Sequence, residues 1–381
     1  MENYIIVKIL IMIVALGGAF TILSLRVKKL YRLMMSVSGK TEFVLDRIGE
    51  RIMVLFTDIL GQSNVRRKFM PGMAHTLIFF GFIAVQPHSL ELMIRGVFPG
   101  FEVGHWIPSI YNAYLYVADI LACFVLAGFA VALYRRLVIR PAYLTMGRDA
   151  NLIILFTCVI IITFLLINAF QVILPYQSTG YNYEGVFPVS GALVAALGLK
   201  TLSPLAIFVS YEILYYIHIF TILGFLIYIP GSKHLHLLAA VPNVFLKPLD
   251  KEKSIEKTDI EDENAETFGL GKVSELNWKN VLNLYSCTEC GRCEELCPAA
   301  GTGKPLSPKK WVHDLKDDLI SQSELIRSGK HEEVLPLVRE NSPITSDVIW
   351  SCTTCRSCED ICPANIEHLD PMFEIRKHRI L

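Results

Sequence analysis

The sequence has few charged residues for its length. Asp, Glu, Lys and Arg make up 19% of the 381 residues, whereas a soluble globular protein usually has about 25%. The shortage is local, because long apolar runs fill the chain up to Pro242 and charged residues gather after it. This distribution predicts a membrane part followed by a soluble part. The formal net charge is zero, and we expect no nucleic-acid partner.

The sequence also lacks the features of a signal peptide and of a flavin- or nicotinamide-binding loop. The stretch Met1-Glu-Asn-Tyr has no basic residue, and no small-residue cleavage site follows it, so the first apolar run is predicted to be a retained helix rather than a signal peptide. No flavin or nicotinamide fingerprint is present. The Gly301–Lys304 stretch lacks the upstream glycine of a phosphate loop, and Pro305 stands where Ser or Thr is required. Any flavin donor must therefore be external.

Eight of the ten cysteines lie in two runs, Cys287–Pro298 and Cys352–Pro363. Both runs fit C-x2-C-x2-C-x3-C-P, the pattern of bacterial two-cluster ferredoxins, in which the fourth cysteine of each run ligates the other cluster. A single C-x2-C would also suit zinc or disulfides, but two complete runs favour [4Fe–4S] clusters. The predicted ligands are Cys287, Cys290, Cys293 and Cys362 for one cluster, and Cys352, Cys355, Cys358 and Cys297 for the other.

The remaining cysteines, Cys123 and Cys158, lie inside apolar runs and are predicted to be buried structural thiols. Five apolar runs approach the ~20 residues of a spanning helix: 5–25, 74–97, 110–134, 151–174 and 204–230. Residues 185–200 are apolar but short, and predict an interfacial or re-entrant segment. Basic residues concentrate in the loops after the first and third runs, which places these loops in the cytoplasm and the N-terminus outside. Cluster thiolates also need a reducing compartment, so we expect the cysteine domain in the cytoplasm.

The predicted fold is an all-α membrane protein. A five-transmembrane-helix haem b bundle (1–243) precedes a charged linker (244–275) and a mainly helical two-[4Fe–4S] ferredoxin-type domain (276–381). More than fifty residues separate the two cysteine runs, and their apolar positions recur at helical spacing.

Histidines near the second and fifth apolar runs are candidate haem ligands, because polar side chains at membrane depth are costly and usually functional. The candidates are His75, His88, His218, His234 and His236. The two helices run antiparallel, so His75 is expected level with His234 or His236, and His88 level with His218. Two b-type haems follow from this pairing. The alternative is one haem, with His88 and His234 as interfacial hydrogen-bonding residues. His105 is expected to be an interface residue.

The membrane part, with its closing segment Pro230–His236, resembles the gamma (cytochrome b) subunit of respiratory nitrate reductase. The resemblance implies two haems b on His75, His88, His218 and His236. The whole chain resembles membrane-bound iron–sulfur oxidoreductases that join such a cytochrome to a heterodisulfide-reductase-like part, some of them electron-transfer-flavoprotein:menaquinone oxidoreductases. That family usually continues into two Cys-Cys-Gly repeats, whereas this sequence ends at Leu381. We expect these repeats on a separate subunit, or a truncated chain.

The sequence therefore predicts an electron-transfer subunit of a bacterial or archaeal cytoplasmic membrane, working between a cytoplasmic donor and menaquinone. The donor is expected to be an electron transfer flavoprotein or a cysteine-rich reductase subunit. The alternative is a membrane anchor and electron wire for a heterodisulfide- or sulfite-reductase-like complex whose catalysis lies on a partner. A redox sensor is a third hypothesis, for which two haems would be superfluous. Among the residues before His218, Glu212 is a candidate proton carrier for quinone chemistry, and the neighbouring tyrosines also suit an aromatic belt.

Overall fold

The computed structural model describes residues 2–381 except 42, 44, 175–182, 184, 251–260 and 262–267. The described residues form helices and connecting turns, with no β-strand among them, which confirms the all-α prediction. Half of the linker predicted at 244–275 lies outside the described residues. The chain divides into two compact units. We name them the membrane unit (Met1–Ser24, Lys68–Arg140 and Gly147–Tyr228) and the cluster unit (Leu25–Arg67, Pro141–Met146 and Ile229–Leu381).

The principal helices are numbered here in chain order; further one-turn helices occupy Ser63–Arg66 and Pro298–Gly301. They are α1 Glu2–Met35, α2 Ile48–Val54, α3 Phe69–Val97, α4 Pro108–Tyr134, α5 Arg148–Ile173, α6 Pro188–Ala196, α7 Pro204–Tyr228, α8 His236–Phe245, α9 Trp278–Ser286, α10 Arg292–Glu295, α11 Pro308–Ser321, α12 Ser323–Arg327, α13 Ser346–Trp350, α14 Ser357–Asp360 and α15 Leu369–Ile380.

Five helices of the described chain are long and apolar enough to cross a membrane, which confirms the five predicted spans. They cover Asn3–Met35, Phe69–Val97, Pro108–Ile139, Arg148–Ile173 and Pro204–Gly231. The predicted interfacial segment contains the nine-residue helix α6, which is too short to span a bilayer. Its interfacial or re-entrant position stays a prediction.

Small residues bring α3 and α4 into close contact. A Cβ atom on Gly81 would lie 2.8 Å from the carbonyl oxygen of Leu121, and one on Gly128 would lie 2.9 Å from that of Ala74. Such small-residue contacts let helix backbones approach in membranes, where apolar side chains gain little by leaving lipid. The close packing fixes α3, which carries two of the candidate histidines, against α4.

Pro87 interrupts the hydrogen-bond ladder of α3 without ending the helix. The Tyr114 hydroxyl of α4 donates to the carbonyl oxygen of Ala84 and accepts from the backbone N–H of His88, both at 2.9 Å. A side chain inserted between two ladder partners opens a helix locally. The Tyr114 hydroxyl thus provides hydrogen bonds for the backbone groups beside Pro87, and the same contact anchors His88 to α4.

A hydrophobic core of the cluster unit packs α9 and α15 against the chain between the cysteine runs, which includes α11. Val281, Trp311, Leu315 and Ile375 are among its buried side chains. The Ser307 hydroxyl caps α11 by accepting the N–H of Lys310. The segment between the two cysteine runs is therefore helical, as its apolar spacing predicts, and it forms part of the core that supports both runs.

Candidate iron–sulfur site and buried histidines

The two cysteine loops have the same backbone conformation. Positive φ angles occur at Glu289 (54°) and Gly291 (78°) in the first loop, and at Thr354 (56°) and Arg356 (61°) in the second. These residues hold matching positions on either side of the second cysteine of each run. A one-turn helix follows each loop, α10 in the first and α14 in the second, and these helices contact each other. Both loops therefore curl their first three cysteines in the same way.

The structure brings the fourth cysteine of each run to the other run. Burial raises the pKa of Cys362 to about 12, and the thiols of Cys290 and Cys287 contribute to the rise. Burial likewise raises the pKa of Cys293, with added effects of Cys362, Cys290 and Cys287. These four cysteines are the predicted ligands of one cluster, and they lie within electrostatic range of one another.

The other set shows the reciprocal arrangement. Burial raises the pKa of Cys352, and the thiols of Cys297 and Cys355 contribute to the rise. Cys355 differs, because it is exposed and hydrogen bonding with Ser357 lowers its pKa. Cys358 is partly buried, and its pKa is raised by burial, Glu359 and Cys352. The exchange of fourth ligands stays a prediction for the cofactor-bound protein.

The donor set fits a pair of four-iron clusters. All ten cysteines are free thiols, and crowded buried thiols ionise only when a nearby positive charge compensates them. The iron core of a cluster provides that charge. Backbone N–H groups point at two of the sulfurs, from Thr354 to Cys352 Sγ at 3.4 Å and from Ile366 to Cys362 Sγ at 3.5 Å. Within the described residues, no three His, Cys, Asp or Glu side chains converge as ligands of a single metal ion.

Other segments of the cluster unit cover the first cysteine loop. A Cβ atom on Gly291 would lie 2.4 Å from the carbonyl oxygen of Tyr143, and that oxygen accepts a hydrogen bond from Lys309 Nζ at 2.7 Å. The Arg292 guanidinium donates to the carbonyl oxygen of Asn64 at 2.9 Å. In the second loop Cys355 is exposed to solvent instead. The Cys352 set is therefore the more accessible of the two.

In the membrane unit, His88 is fully buried and oriented by its Nδ1 atom. Nδ1 lies 2.9 Å from the Tyr111 hydroxyl and 3.3 Å from Glu91 Oε2, while Nε2 has no hydrogen-bond partner. A histidine that ligates a metal usually has its other ring nitrogen held by such a partner. His88 would therefore be able to offer its Nε2 atom to a haem iron.

His218 is also fully buried, and the structure places it level with His88. Its Nε2 lies 3.1 Å from Ser89 Oγ and its Nδ1 lies 2.8 Å from Thr163 Oγ1. The Phe164 ring is within 5.8 Å of His88 and 6.5 Å of His218, measured between ring centroids. Because both nitrogens of His218 face hydroxyl groups, this residue fits a haem ligand only if Ser89 releases Nε2.

The remaining candidate histidines are more exposed. His75 lies on α3, is exposed and stacks on Phe79 at 6.3 Å. His234 and His236 belong to the cluster unit, with ring centroids 5.2 Å apart. His236 Nδ1 lies 2.9 Å from the Lys233 carbonyl oxygen, and burial lowers the pKa of His236, which keeps it neutral as ligation requires. His105 is exposed in the loop after α3.

The sequence did not reveal the paired polar groups at those ends of the spans that are predicted to face the outside. Arg95 forms an ion pair with Glu102 at 3.0 Å, and Tyr183 donates a hydrogen bond to Glu102. Lys8 of α1 pairs with Glu212 at 2.8 Å, so the candidate proton carrier has a cationic partner. The His88–Glu91–Arg95 spacing of three and four residues on one helix is the signal that could have revealed part of this network.

The fold and the cysteine loops define a helical membrane protein with a ferredoxin-type domain for two clusters. A family model of the 4Fe-4S dicluster domain matches residues 286–366. The chain is 30% identical over 372 residues to the probable iron–sulfur-binding oxidoreductase FadF of Bacillus subtilis, and the match covers 90% of this chain and 52% of that protein. It is 28% identical over 360 residues to the EtfAB:quinone oxidoreductase of Syntrophomonas wolfei, with 88% of this chain and 50% of that protein covered.

A shorter similarity concerns the cluster domain. The ferredoxin:CoB-CoM heterodisulfide reductase of Methanosarcina mazei has a subunit that is 25% identical over 96 residues, which cover 25% of this chain and 46% of that subunit. No solved structure matches the chain significantly. The chain spans about half the length of the first two relatives. These similarities confirm the resemblance to fused membrane iron–sulfur oxidoreductases with a heterodisulfide-reductase-like cluster domain, and the cytochrome b part stays a prediction.

Proposed function

We propose that this chain is the membrane electron-transfer subunit of a quinone-linked oxidoreductase, which passes electrons between a cytoplasmic donor and the menaquinone pool. The observation that carries the proposal is the reciprocal placement of Cys362 beside Cys287 and Cys290 and of Cys297 beside Cys352, in a chain with five candidate spans. When bound to these thiolates, two [4Fe–4S] clusters would supply one-electron carriers. The protein keeps the thiols close together and mostly shielded from water.

The donor in this proposal is an electron transfer flavoprotein. The name of the Syntrophomonas relative, EtfAB:quinone oxidoreductase, supports this choice. A separate cysteine-rich reductase subunit is the other candidate partner, and the similarity to part of a heterodisulfide reductase supports it. In that second case, the chain anchors and connects a complex whose catalysis lies on the partner.

The proposal includes b haems bound by residues 1–243, which would supply further one-electron carriers between the cytoplasmic side and the quinone. His88 and His218 would hold one of them, and the sequence assigns the other to His75 with His236 or His234. The buried, unpartnered Nε2 of His88 and the backbone contact that orients His236 support these assignments. Within this proposal, residues 1–243 form the cytochrome part, and the cluster domain at 276–381 lies in the cytoplasm with the N-terminus outside.

Anaerobic reduction by quinol tests this function. The full chain is purified with its clusters and mixed with menadiol, and cluster reduction is followed by electron paramagnetic resonance. Rapid reduction by menadiol without any partner supports the quinone-linked function. Clusters that dithionite reduces but menadiol does not reduce would contradict it and favour the anchor for a partner reductase.

A further inference from the structure

Two amide side chains of α5 lie in the interior of the membrane unit with incompletely satisfied hydrogen-bonding groups. Asn168 is 0% exposed and Gln171 is 2% exposed. Neither amide atom of Asn168 has a hydrogen-bond partner, and the amide of Gln171 reaches the side chain of Tyr211 without the geometry of a full hydrogen bond. The two residues are three positions apart, so they occupy one face of the helix, separated by ~4.5 Å along its axis. We name them the α5 amide pair.

An unsatisfied amide buried among apolar side chains carries a large cost, since nothing there replaces the hydrogen bonds that water gives it. Leucine at either position would avoid the cost. Buried polar side chains in membrane proteins usually mark a functional site, and an unpartnered buried group points to a molecule that completes its hydrogen bonds. The α5 amide pair therefore indicates a polar ligand inside the bundle.

The neighbours of the α5 amide pair define the surroundings of this ligand. Asn168 lies one turn beyond Phe164, whose ring contacts the rings of both His88 and His218. Gln171 interacts with the half-buried Tyr211 of α7. The α5 amide pair thus has aromatic neighbours in Phe164 and Tyr211, a combination that suits a flat ring with oxygen atoms at its rim.

Charge argues for a neutral ligand. The charged groups near Tyr211 include Arg95, which is paired with Glu102 at 3.0 Å, and Glu212, which is paired with Lys8 at 2.8 Å. Both cations already have a carboxylate partner, so neither is left to compensate a further anion such as a carboxylate. A quinone has no charge, and its oxygens accept hydrogen bonds as quinone and also donate them as quinol.

We propose that the α5 amide pair, Asn168 and Gln171, binds the ring oxygens of a menaquinone-type quinone between α5 and α7. This inference rests on the proposed quinone-linked function and locates its substrate within the bundle. Binding alone forms and breaks no covalent bond. An internal water molecule on the same amides is the other possible occupant, and the experiment distinguishes the two.

The test uses the full chain in detergent with its cofactors and three variants, Asn168→Leu, Gln171→Leu and the control Asn151→Leu. Asn151 lies on the same helix but is exposed, so its variant makes the same chemical change outside the bundle. Menadione binding is measured by titration calorimetry, and thermal unfolding is recorded for each protein. We expect about tenfold weaker binding for each interior variant, a loss of ~1.4 kcal/mol, and unchanged binding for the control.

Thermal unfolding separates binding from folding. Because leucine removes an unsatisfied amide, Asn168→Leu and Gln171→Leu should unfold at the same temperature as the natural protein or above it. Weakened binding in a protein that is no less stable supports the proposal. Menadione affinity within twofold of the natural protein in either stable interior variant overturns it and leaves water as the occupant. Reduction of the clusters by menadiol would still succeed in that case, so the failure of the site and the failure of the proposed function are distinguishable.

Discussion

Gly291 and Arg356 hold the same position in the two cysteine loops, and substitutions at these two positions are expected to differ sharply. Gly291→Ala places a Cβ on a residue with φ of 78° and 2.4 Å from the carbonyl oxygen of Tyr143. The left-handed conformation costs ~1–2 kcal/mol for a residue with a Cβ, and crowding in a packed site costs ~1–3 kcal/mol. We expect the cluster unit to lose about 2–5 kcal/mol of stability and the protein to lose iron.

Arg356→Gly is the matched control, because Arg356 already has a positive φ of 61°. Its ion pair with Glu359 is long, at 4.0 Å, and lies near the surface, where such pairs contribute ~0–1 kcal/mol. The glycine should therefore be tolerated. The assay is anaerobic urea unfolding of the purified proteins with iron analysis. Equal stability of Gly291→Ala and the natural protein, or an equal loss in both variants, would refute the reasoning about the two loops.

Three further predictions concern a buried carboxyl group, the membrane topology and the number of haems. Burial raises the pKa of Glu102 from 4.5 to about 7 against the opposing charge of Arg95, so the folded state retains a proton that the unfolded chain releases. Stability should then fall as pH rises from about 4.5 to about 7, and thermal unfolding of Glu102→Gln should lose this slope. Reporter fusions should place residue 200 on the outer side of the membrane and residues 26–70 and 250–381 on the cytoplasmic side. A fusion at residue 200 that reports the cytoplasm would mean that residues 185–200 form an additional span. Redox titration of the haem absorbance should show two components, one of which His218→Ala removes, whereas a single component that His88→Ala leaves intact would favour one haem.

The spans and the cluster domain were predictable because their signals are local. A run of about twenty apolar residues suffices for a spanning helix, and the spacing of the thiols suffices for a two-cluster ferredoxin motif. The helical segment between the cysteine runs was equally clear, since its apolar positions repeat at the spacing that buries Trp311 and Leu315 in the structure. These features depend on residues that are neighbours in the chain.

Contacts between distant residues were not predictable. Nothing in the sequence near Pro87 indicates that Tyr114 inserts its hydroxyl into the α3 ladder. The break after α7, in contrast, has a local signal in the sequence. His218 and His236 are five turns apart and would share one face of a continuous helix, but α7 ends at Tyr228 and a 3-10 segment follows at Ile229–Gly231. The two histidines therefore do not belong to one continuous helix, and the break contains the helix-breaking pair Pro230-Gly231.

The partners of ionic groups also needed the structure. Glu212 stands out in the sequence as an acidic residue within an apolar run, but its pairing with Lys8 joins residues of the first and last spans. The amides of Asn168 and Gln171 look like ordinary tolerated polar residues in the sequence. Only their burial with incompletely satisfied hydrogen-bonding groups distinguishes them.

The most direct test of the central claim, two clusters that exchange their fourth ligands, is electron paramagnetic resonance of Cys297→Ser. The natural protein should contain about eight irons in two [4Fe–4S] clusters, apart from haem iron. Because Cys297 lies beside Cys352, the substitution should damage the cluster of Cys352, Cys355 and Cys358 and preserve the cluster of Cys287, Cys290 and Cys293. Loss of the latter cluster, with the former intact, would contradict the exchange of ligands on which this account is built.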